Sequence, residues 1–475
     1  MKILLFKQSI YLLIGALAVI LGAAIFFSPL ASLAASLFFV FIFLVWQKPL
    51  VAFFLLIAYL PFQIALNLLP DIDLMSGRIL VPIFFLVIIL KHFLAGGDFK
   101  VFLKNKISLS LLLFFSLAAI SFLVAKEQAW AIRKIIFLFS WLPLYFLTIY
   151  FIDNDKKSRD FTRLIVLGAA LSALIGLAQF LAQFVLNRDD LVAFWLAHIA
   201  PLFSGASLAG LVQTNNSWLV EVSGQVFFRV VGLFPDPHMM AFYLGMALPF
   251  CLALFFFEKK YRKIIGAVCF FIGLALFLTF SRGGYLGALA SITFFLIAVR
   301  SFLQPKDKKF LAAALLLLAV IVFFFSPVIG RFSSIFSLED GSNLGRLQIW
   351  RDSLNMAKDN LLLGVGLGSY SFSLGFAQDY RNAMTSHNLY LDLLVELGIF
   401  GLLSWLLLMV VSFKVVWHGR LKNPVLAIGI GGSLVYFSVH SFFETAIFNP
   451  TVFAFLMIYF GLLFKLEQKN VSNDQ

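Results

Sequence analysis

Residues 239–284 read MMAFYLGMALPFCLALFFFEKKYRKIIGAVCFFIGLALFLTFSRGG. Two apolar runs, 239–257 and 263–280, are parted only by the basic cluster Glu258–Lys263. A helix needs about 20 apolar residues to cross a ~30 Å hydrocarbon core, so each run is long enough to span. The same alternation continues in both directions. Further spans are expected near 9–27, 30–46, 50–69, 78–94, 107–125, 132–152, 162–186, 284–302, 309–326, 387–413, 423–440 and 448–464. The N-terminal stretch has the basic start of a signal peptide, but a second span follows at once, so it reads as an uncleaved first span.

Composition agrees. Of 475 residues, 62% are hydrophobic and 12% charged, where a soluble domain has about 25% charged. The fold class is therefore an all-α polytopic membrane protein, with one membrane domain over 1–475. Cys251 and Cys269 both fall inside apolar runs. They read as core thiols without disulfide or metal spacing.

The net charge of +13 does not indicate nucleic acid, because the basic residues sit in short connections between spans. With both termini in the cytoplasm, the connections on that side carry two thirds of all Lys and Arg but only about a third of the acids. The rest of the chain is then net acidic, which is the pattern of the positive-inside rule. This topology leaves two long connections outside, 187–238 and 327–386, and long loops are often functional.

The first outer loop ends RVVGLFPDPH, with Arg229 between apolar residues. Arg229 is either a cation dipping into the membrane toward an anionic partner or an interfacial residue snorkelling to lipid phosphate. His238 opens the next span and reads as a helix-start residue. Ser281-Arg282-Gly283-Gly284 reads as a tight turn between spans, with Arg282 near the outer surface. In the second loop, 344–358 fits an amphipathic helix. Leu347, Trp350, Leu354 and Ala357 form one face, Arg351, Asn355 and Lys358 the other, and Arg346 flanks the apolar side. Such a helix can lie in the membrane interface or simply cover the bundle. Gly364, Gly366 and Gly368 allow a tight turn and close backbone approach. They are no P-loop, since no GK[ST] follows.

From Thr385 the chain reads TSHNLYLDLLVELGIFGLL. Ser386 can cap a helix beginning at His387. Asn388, Asp392 and Glu396 then form a polar stripe that should face the bundle interior or a wet cavity. His387, at the mouth of the stripe, is suited to general-base work near neutral pH, or it is a plain helix-start residue.

At these residues the chain resembles the O-antigen ligase and O-antigen polymerase superfamily of bacterial membrane glycosyltransferases. The likeness runs over about 340–405: Gly345, Arg346 and Trp350 in GRxxxW, the GxGxG turn, the His387–Asn388 pair, and Glu396, Gly398 and Gly401 in ExGxxG. A weaker likeness covers 229–290, where relatives often carry Asn near Pro237-His238. The resemblance implies a GT-C-like bundle of about 12–14 transmembrane helices in the bacterial cytoplasmic membrane, working at its periplasmic or outer face. It implies a glycan donor linked to undecaprenyl diphosphate and inversion at the sugar carbon, with neither metal nor other cofactor. The acceptor is another glycan, lipid A–core or protein. Arg229 and Arg346 would hold the diphosphate, and His387 would act as base or orient the acceptor. Arg282, Arg351, Asn388, Asp392, Glu396 and His238 are candidates for support, and Arg331 and Arg381 are further cations of the second loop. A flippase or secondary transporter is the rival reading. Asp392, Glu396 and Glu444 keep it open, since intramembrane acids can mark ion paths, but no internal repeat is visible.

Overall fold

A computed structural model describes residues 29–69, 72–94, 105–206, 210, 217–222, 224–302, 309, 341–375 and 385–471. The expected span 9–27, the expected span 309–326 after its first residue, and Arg331 and Arg381 lie outside the described residues. Eight described helices are long and apolar enough to cross a membrane, and three shorter apolar helices accompany them. The chain is an all-α polytopic membrane protein.

The described residues form two compact units, one of residues up to 56 with 83–94, the other of 57–82 with the chain from 105 onward. The first unit holds α1 (Pro29–Gln47), most of α2 (Pro49–Tyr59) and most of α3 (Gly77–Leu94). Phe84 packs edge-on against both Phe41 and Phe53. Lys91 donates to the Trp46 carbonyl and lies over the Trp46 ring.

The expected span 50–69 is cut short. After Phe62 the chain forms an antiparallel hairpin, β1 (Ala65–Leu69) with β2 (Ile72–Met75). Pro61 ends the helical run. Tyr59 Oη accepts from the Ile64 N–H and bonds the Ser76 hydroxyl, tying the two ends of the hairpin together.

The second unit continues with α4 (Lys106–Ile120), α5 (Gln128–Trp141), α6 (Pro143–Phe151) and α7 (Asp155–Ala182). Pro143, which offers no N–H to the preceding turn, marks the junction of α5 and α6, and Gln128–Phe151 together form one run long enough to cross, as expected for 132–152. Then come α8 (Arg188–Phe194), α9 (Ala200–Phe203) and a second hairpin, β3 (Leu219–Val222) with β4 (Gln225–Phe228). The remaining helices are α10 (Pro237–Phe257), α11 (Arg262–Phe277), α12 (Arg282–Val299), α13 (Gly341–Asp359), α14 (Tyr370–Ser373), α15 (Leu389–Gly419), α16 (Pro424–His440) and α17 (Pro450–Val471). Cys251 and Cys269 are free thiols lying against each other between α10 and α11.

Small residues allow α10, α12 and α16 to pack closely. Gly245, Gly284 and Gly287 surround the buried Tyr436 ring, whose hydroxyl donates to the Ala241 carbonyl at 2.7 Å. In membranes such small-residue contacts replace the hydrophobic drive available in water. This corrects the reading of Ser281–Gly284 as a turn. Ser281 caps α12, accepting from the Gly284 N–H. Gly283 and Gly284 lie inside the helix, where a Cβ would meet His440 and Ala241.

The glycine turn has a definite task. Helix α15 breaks at Gly398, whose φ of 67° is left-handed. The break frees the Val395 and Glu396 carbonyls and the Ile399 N–H. Val365 and Gly366 donate to those carbonyls at 2.8 and 3.1 Å, and Ile399 donates to the Leu361 carbonyl at 2.8 Å. Three backbone groups orphaned within the membrane-spanning helix are thereby satisfied, as an apolar surrounding demands. Gly364, Gly366 and Gly368 all have positive φ, and at each a Cβ would press on neighbouring backbone.

Candidate functional site

The described part of the first long loop is folded rather than solvated. Leu191, Ala200, Trp218, Phe228 and Val231 form its core, and Trp218 stacks on Phe228. Gln179 of α7 and Gln183, which ends it, fasten the end of β4 and the segment after it. Gln183 accepts from the Phe228 N–H at 2.8 Å and donates to the Phe228 carbonyl at 3.0 Å. Gln179 accepts from the Val231 N–H at 3.0 Å and donates to the Arg229 carbonyl at 2.9 Å. Each side-chain amide acts like a neighbouring strand edge, pairing backbone groups that would otherwise be buried unmet.

Arg229 is thus a buried residue, 7% exposed, and not a snorkelling one. Its Nε donates to the Thr279 carbonyl at 2.7 Å and an Nη to the Ser217 carbonyl at 2.8 Å. Its charge acts on Asp236 and His238. Asp236 caps α10 by accepting from the His238 and Met239 N–H groups. Burial, then the nearby Glu444 charge, pushes the Asp236 carboxyl up to about 6, against those two bonds and Arg229. His238 is a helix-start residue, as read from the sequence. Its imidazole also bonds Ser281 Oγ at 3.0 Å, and that oxygen lies 3.2 Å from His440 Nε2.

His387 is not the first residue of a helix. Its φ of 52° is left-handed, a conformation that costs a non-glycine residue about 1–3 kcal/mol and persists only when surroundings impose it. Asn388, not Ser386, caps α15, accepting from the Tyr390 and Leu391 N–H groups. The imposing contacts hold both the N–H and the carbonyl of the residue before it. Asp392 accepts from the Ser386 N–H at 2.8 Å, and Trp350 Nε1 donates to the Ser386 carbonyl at 2.9 Å. The other Asp392 oxygen accepts from the Thr445 hydroxyl. Buried Asp392 therefore clamps the loop before His387 to the loop carrying Glu444.

His387 Nδ1 lies 3.0 and 3.1 Å from the two Glu444 oxygens. The charge and hydrogen bond of Glu444 raise the His387 pKa, outweighing burial and Arg346. Burial alone would raise Glu444; the charge and hydrogen bond of His387, with His238 and the Thr445 N–H, hold it at about 2 instead. Arg346 acts electrostatically on His238, His387 and His440. The three residues singled out from sequence, Arg229, Arg346 and His387, thus share one electrostatic neighbourhood with Glu444 among them. The capped N-termini of α10, α12 and α15 meet the C-terminal end of α16 there. Helix N-termini favour anions.

Arg346 stands on the packed face of α13, but that face is rotated from the expected one. Ser353 and Ala357 are buried, whereas Leu347 and Leu354 are exposed. Hydrogen bonds decide the rotation: Ser353 Oγ meets Tyr370 Oη at 2.7 Å, and Trp350 reaches Ser386. Arg351 is exposed on the outward face, and Arg282 begins α12 half-buried. Glu396 is drawn elsewhere, pairing with Lys134 of α5 at 2.8 Å, so the stripe Asn388–Asp392–Glu396 divides into a cap, a clamp and an ion pair.

Beside the Arg346 turn runs an apolar groove of about 930 Å³. Leu286, Leu289 and Ile297 of α12 line its length, and its other walls include Trp350, Phe442 and Phe443. Sequence reasoning singled out neither this groove nor Asp236, and it read Glu444 only as a possible ion-path acid. Glu444 sits four residues beyond His440, and Asp236 in an Asp-Pro start to α10. Both signals are too common to single out a site alone.

Residues 267–406 match the family model described as O-antigen ligase, under a third of the chain. The matched segment contains Arg282, the Gly345–Trp350 element, the glycine turn and the His387–Asn388 pair. It supports the O-antigen ligase and polymerase superfamily, and with it a membrane glycosyltransferase of ligase or polymerase type. A search of curated proteins finds no match.

Proposed function

We propose, from the premise that residues 267–406 carry an O-antigen ligase segment, that this protein transfers a glycan from a lipid-diphosphate donor, of the undecaprenyl diphosphate kind, to an acceptor hydroxyl at the outer face of the bacterial cytoplasmic membrane. The observation that carries the reading is the His387–Glu444 pair lying in the field of Arg346. Glu444 takes the proton-bearing Nδ1 of His387, leaving Nε2 to accept the proton of the attacking hydroxyl. Arg346 and Arg229 stabilise the departing diphosphate, a stable anion that needs fixed cations more than protonation. The new bond forms at the anomeric carbon opposite the bond to phosphate, which inverts that centre.

The apolar groove suits the isoprenoid tail. Its lining adjoins the site along the chain: Phe443 precedes Glu444, and Trp350 lies one turn after Arg346. The outer location rests on the charge balance of the connections. Catalysis is proposed to need no metal, since the cations are supplied by the chain.

The test is glycan transfer by the purified protein in nanodiscs, using the lipid-linked glycan fraction of the host and the acceptor envelope of a strain lacking the gene. Product should form in excess chelator, with release of lipid diphosphate. Movement of the donor across vesicles without transfer would instead establish the transporter reading. Mass spectrometry of the conjugate lost on gene deletion identifies the acceptor.

A further inference from the structure

A second cavity, of about 390 Å³, is lined by residues that follow Glu444 in the chain, where the apolar groove is lined by residues that precede it. Three consecutive residues make the division: Phe443 lines the groove, Glu444 holds His387, and Thr445 lines the cavity. The cavity's other walls include Gln63, Arg78, Asp236, Asn449 and Thr451, closed by Phe203 and Ser204 of the first outer loop. Gln63 is 2% exposed; its amide donates to the Thr451 hydroxyl at 3.2 Å, and its Oε1 has no hydrogen-bond partner.

The lining selects a class of ligand. An isoprenoid tail would leave the buried Gln63 Oε1 unmet and would line the carboxylates and guanidinium of these walls with hydrocarbon. A phosphate would face the Asp73 and Asp236 carboxylates. A sugar ring fits both demands, because every hydroxyl donates and accepts. Acceptor groups are present in Asp236 and Gln63, donor groups in Arg78 and Asn449, and aromatic rings cover the apolar edges. The volume falls in the range of small-molecule pockets.

We infer that this cavity binds a sugar of the acceptor glycan. The inference rests on the proposed glycan transfer and adds the direction from which the acceptor arrives. In an inverting displacement the attacking hydroxyl and the leaving phosphate stand on opposite sides of the anomeric carbon. With the donor's tail in the groove beyond Phe443, the side beyond Thr445 belongs to the acceptor. Its hydroxyl loses a proton to His387 Nε2 as its oxygen bonds the anomeric carbon, and the bonding pair of the C–O(P) bond leaves with the lipid diphosphate.

The test varies acceptor and donor separately in the nanodisc assay, with the two host fractions named above as probes. Gln63→Leu keeps the side-chain volume and removes the amide. Ser204→Phe fills the cavity from the first outer loop, so the two variants carry independent folding risks. Each is expected to raise the acceptor KM on the order of tenfold, the loss of about one good hydrogen bond, while the donor KM and saturated kcat change less than twofold. A raised donor KM with an unchanged acceptor KM would overturn the inference and give the cavity to the donor glycan; unchanged KM values would remove it from substrate binding. If the wild type transfers nothing, it is the proposed function that fails. Saturation-transfer NMR with free oligosaccharide cleaved from the acceptor fraction then reads the cavity alone: signal in the wild type and not in Gln63→Leu supports the inference, and equal signals contradict it.

Discussion

His387 is held where its backbone would not go unaided. Its left-handed φ places Nδ1 against Glu444, and Asp392 and Trp350 fix the peptide before it. Replacing His387 with alanine should lower the transfer rate by roughly 10²–10⁴, the usual contribution of a positioned base, while donor binding persists. The pH profile carries a finer test. His387 must be neutral to accept a proton, and Glu444 raises its pKa above the ordinary 6.5, so the rate should climb with pH through a value above 6.5. Glu444→Gln should move that rise to lower pH. Stability follows the opposite logic. The raised His387 contributes fully below its unfolded value and less as pH rises through its folded one. The depressed Glu444 contributes above its unfolded value and loses that contribution as pH falls toward about 2. The pair therefore stabilises the fold most between the ordinary values 4.5 and 6.5. Thermal unfolding of wild type and Glu444→Gln across pH should differ most in that window; an equal difference at pH 9 would contradict the pairing. His387 and Arg346 were legible from residue type and motif. Glu444 was not, because only the fold brings residue 444 to residue 387.

At the scale of elements, the glycine turn and the break in α15 form one device. Val365 and Gly366 supply N–H groups to carbonyls that Gly398 has released. Gly364→Ala should destabilise by about 1–3 kcal/mol, since a Cβ there meets both an unfavourable φ and the Glu396 backbone. Detergent thermal melts should show the loss, with the same residue replaced in the Gly345 position, where nothing lies within 4 Å of a Cβ, as the mild control. A Gly364→Ala melt equal to that control would contradict the account. The sequence permitted a tight turn but could not say what it serves, because the partner carbonyls lie some thirty residues away. Helix α13 teaches the same lesson. Hydropathy alone favours a face through Leu347 and Leu354, yet hydrogen bonds of Trp350 and Ser353 turn those leucines outward. Trp350→Phe keeps the ring and removes the bond to Ser386. It should lower kcat severalfold without unfolding the protein, by loosening the loop that presents His387; an unchanged kcat would show that the indole bond does not position it.

Across the whole molecule, the spans were the most legible feature. An apolar run of about 20 residues can satisfy its backbone only as a helix in a bilayer, so local composition decides structure there. The expected spans 78–94, 239–257 and 423–440 coincide with α3, α10 and α16 to within a few residues. The two hairpins were not foreseen. The second is held by contacts distant in sequence, as Gln179 and Gln183 hold the end of β4 and the backbone after it; the first is tied by Tyr59 to Ile64 and Ser76. The charge balance assigns the starts of α10, α12 and α15 to one side, and the hydrogen bonds gather those same ends around Ser281, His440 and Ser441. A single cysteine placed at exposed Glu221 of β3 should react with a membrane-impermeant maleimide from outside the cell, and one at exposed Lys260 should not; the reverse pattern would invert the topology.

The central claim is that Arg346 and the His387–Glu444 pair perform glycan transfer at one site. The most direct measurement is the rate of transfer by purified wild type and Arg346→Ala in nanodiscs at saturating donor, with thermal melts confirming that both are folded. Loss of at least a hundredfold in the variant is expected, comparable to removing one fixed group that stabilises transition-state charge. Transfer at the wild-type rate by folded Arg346→Ala would contradict the account.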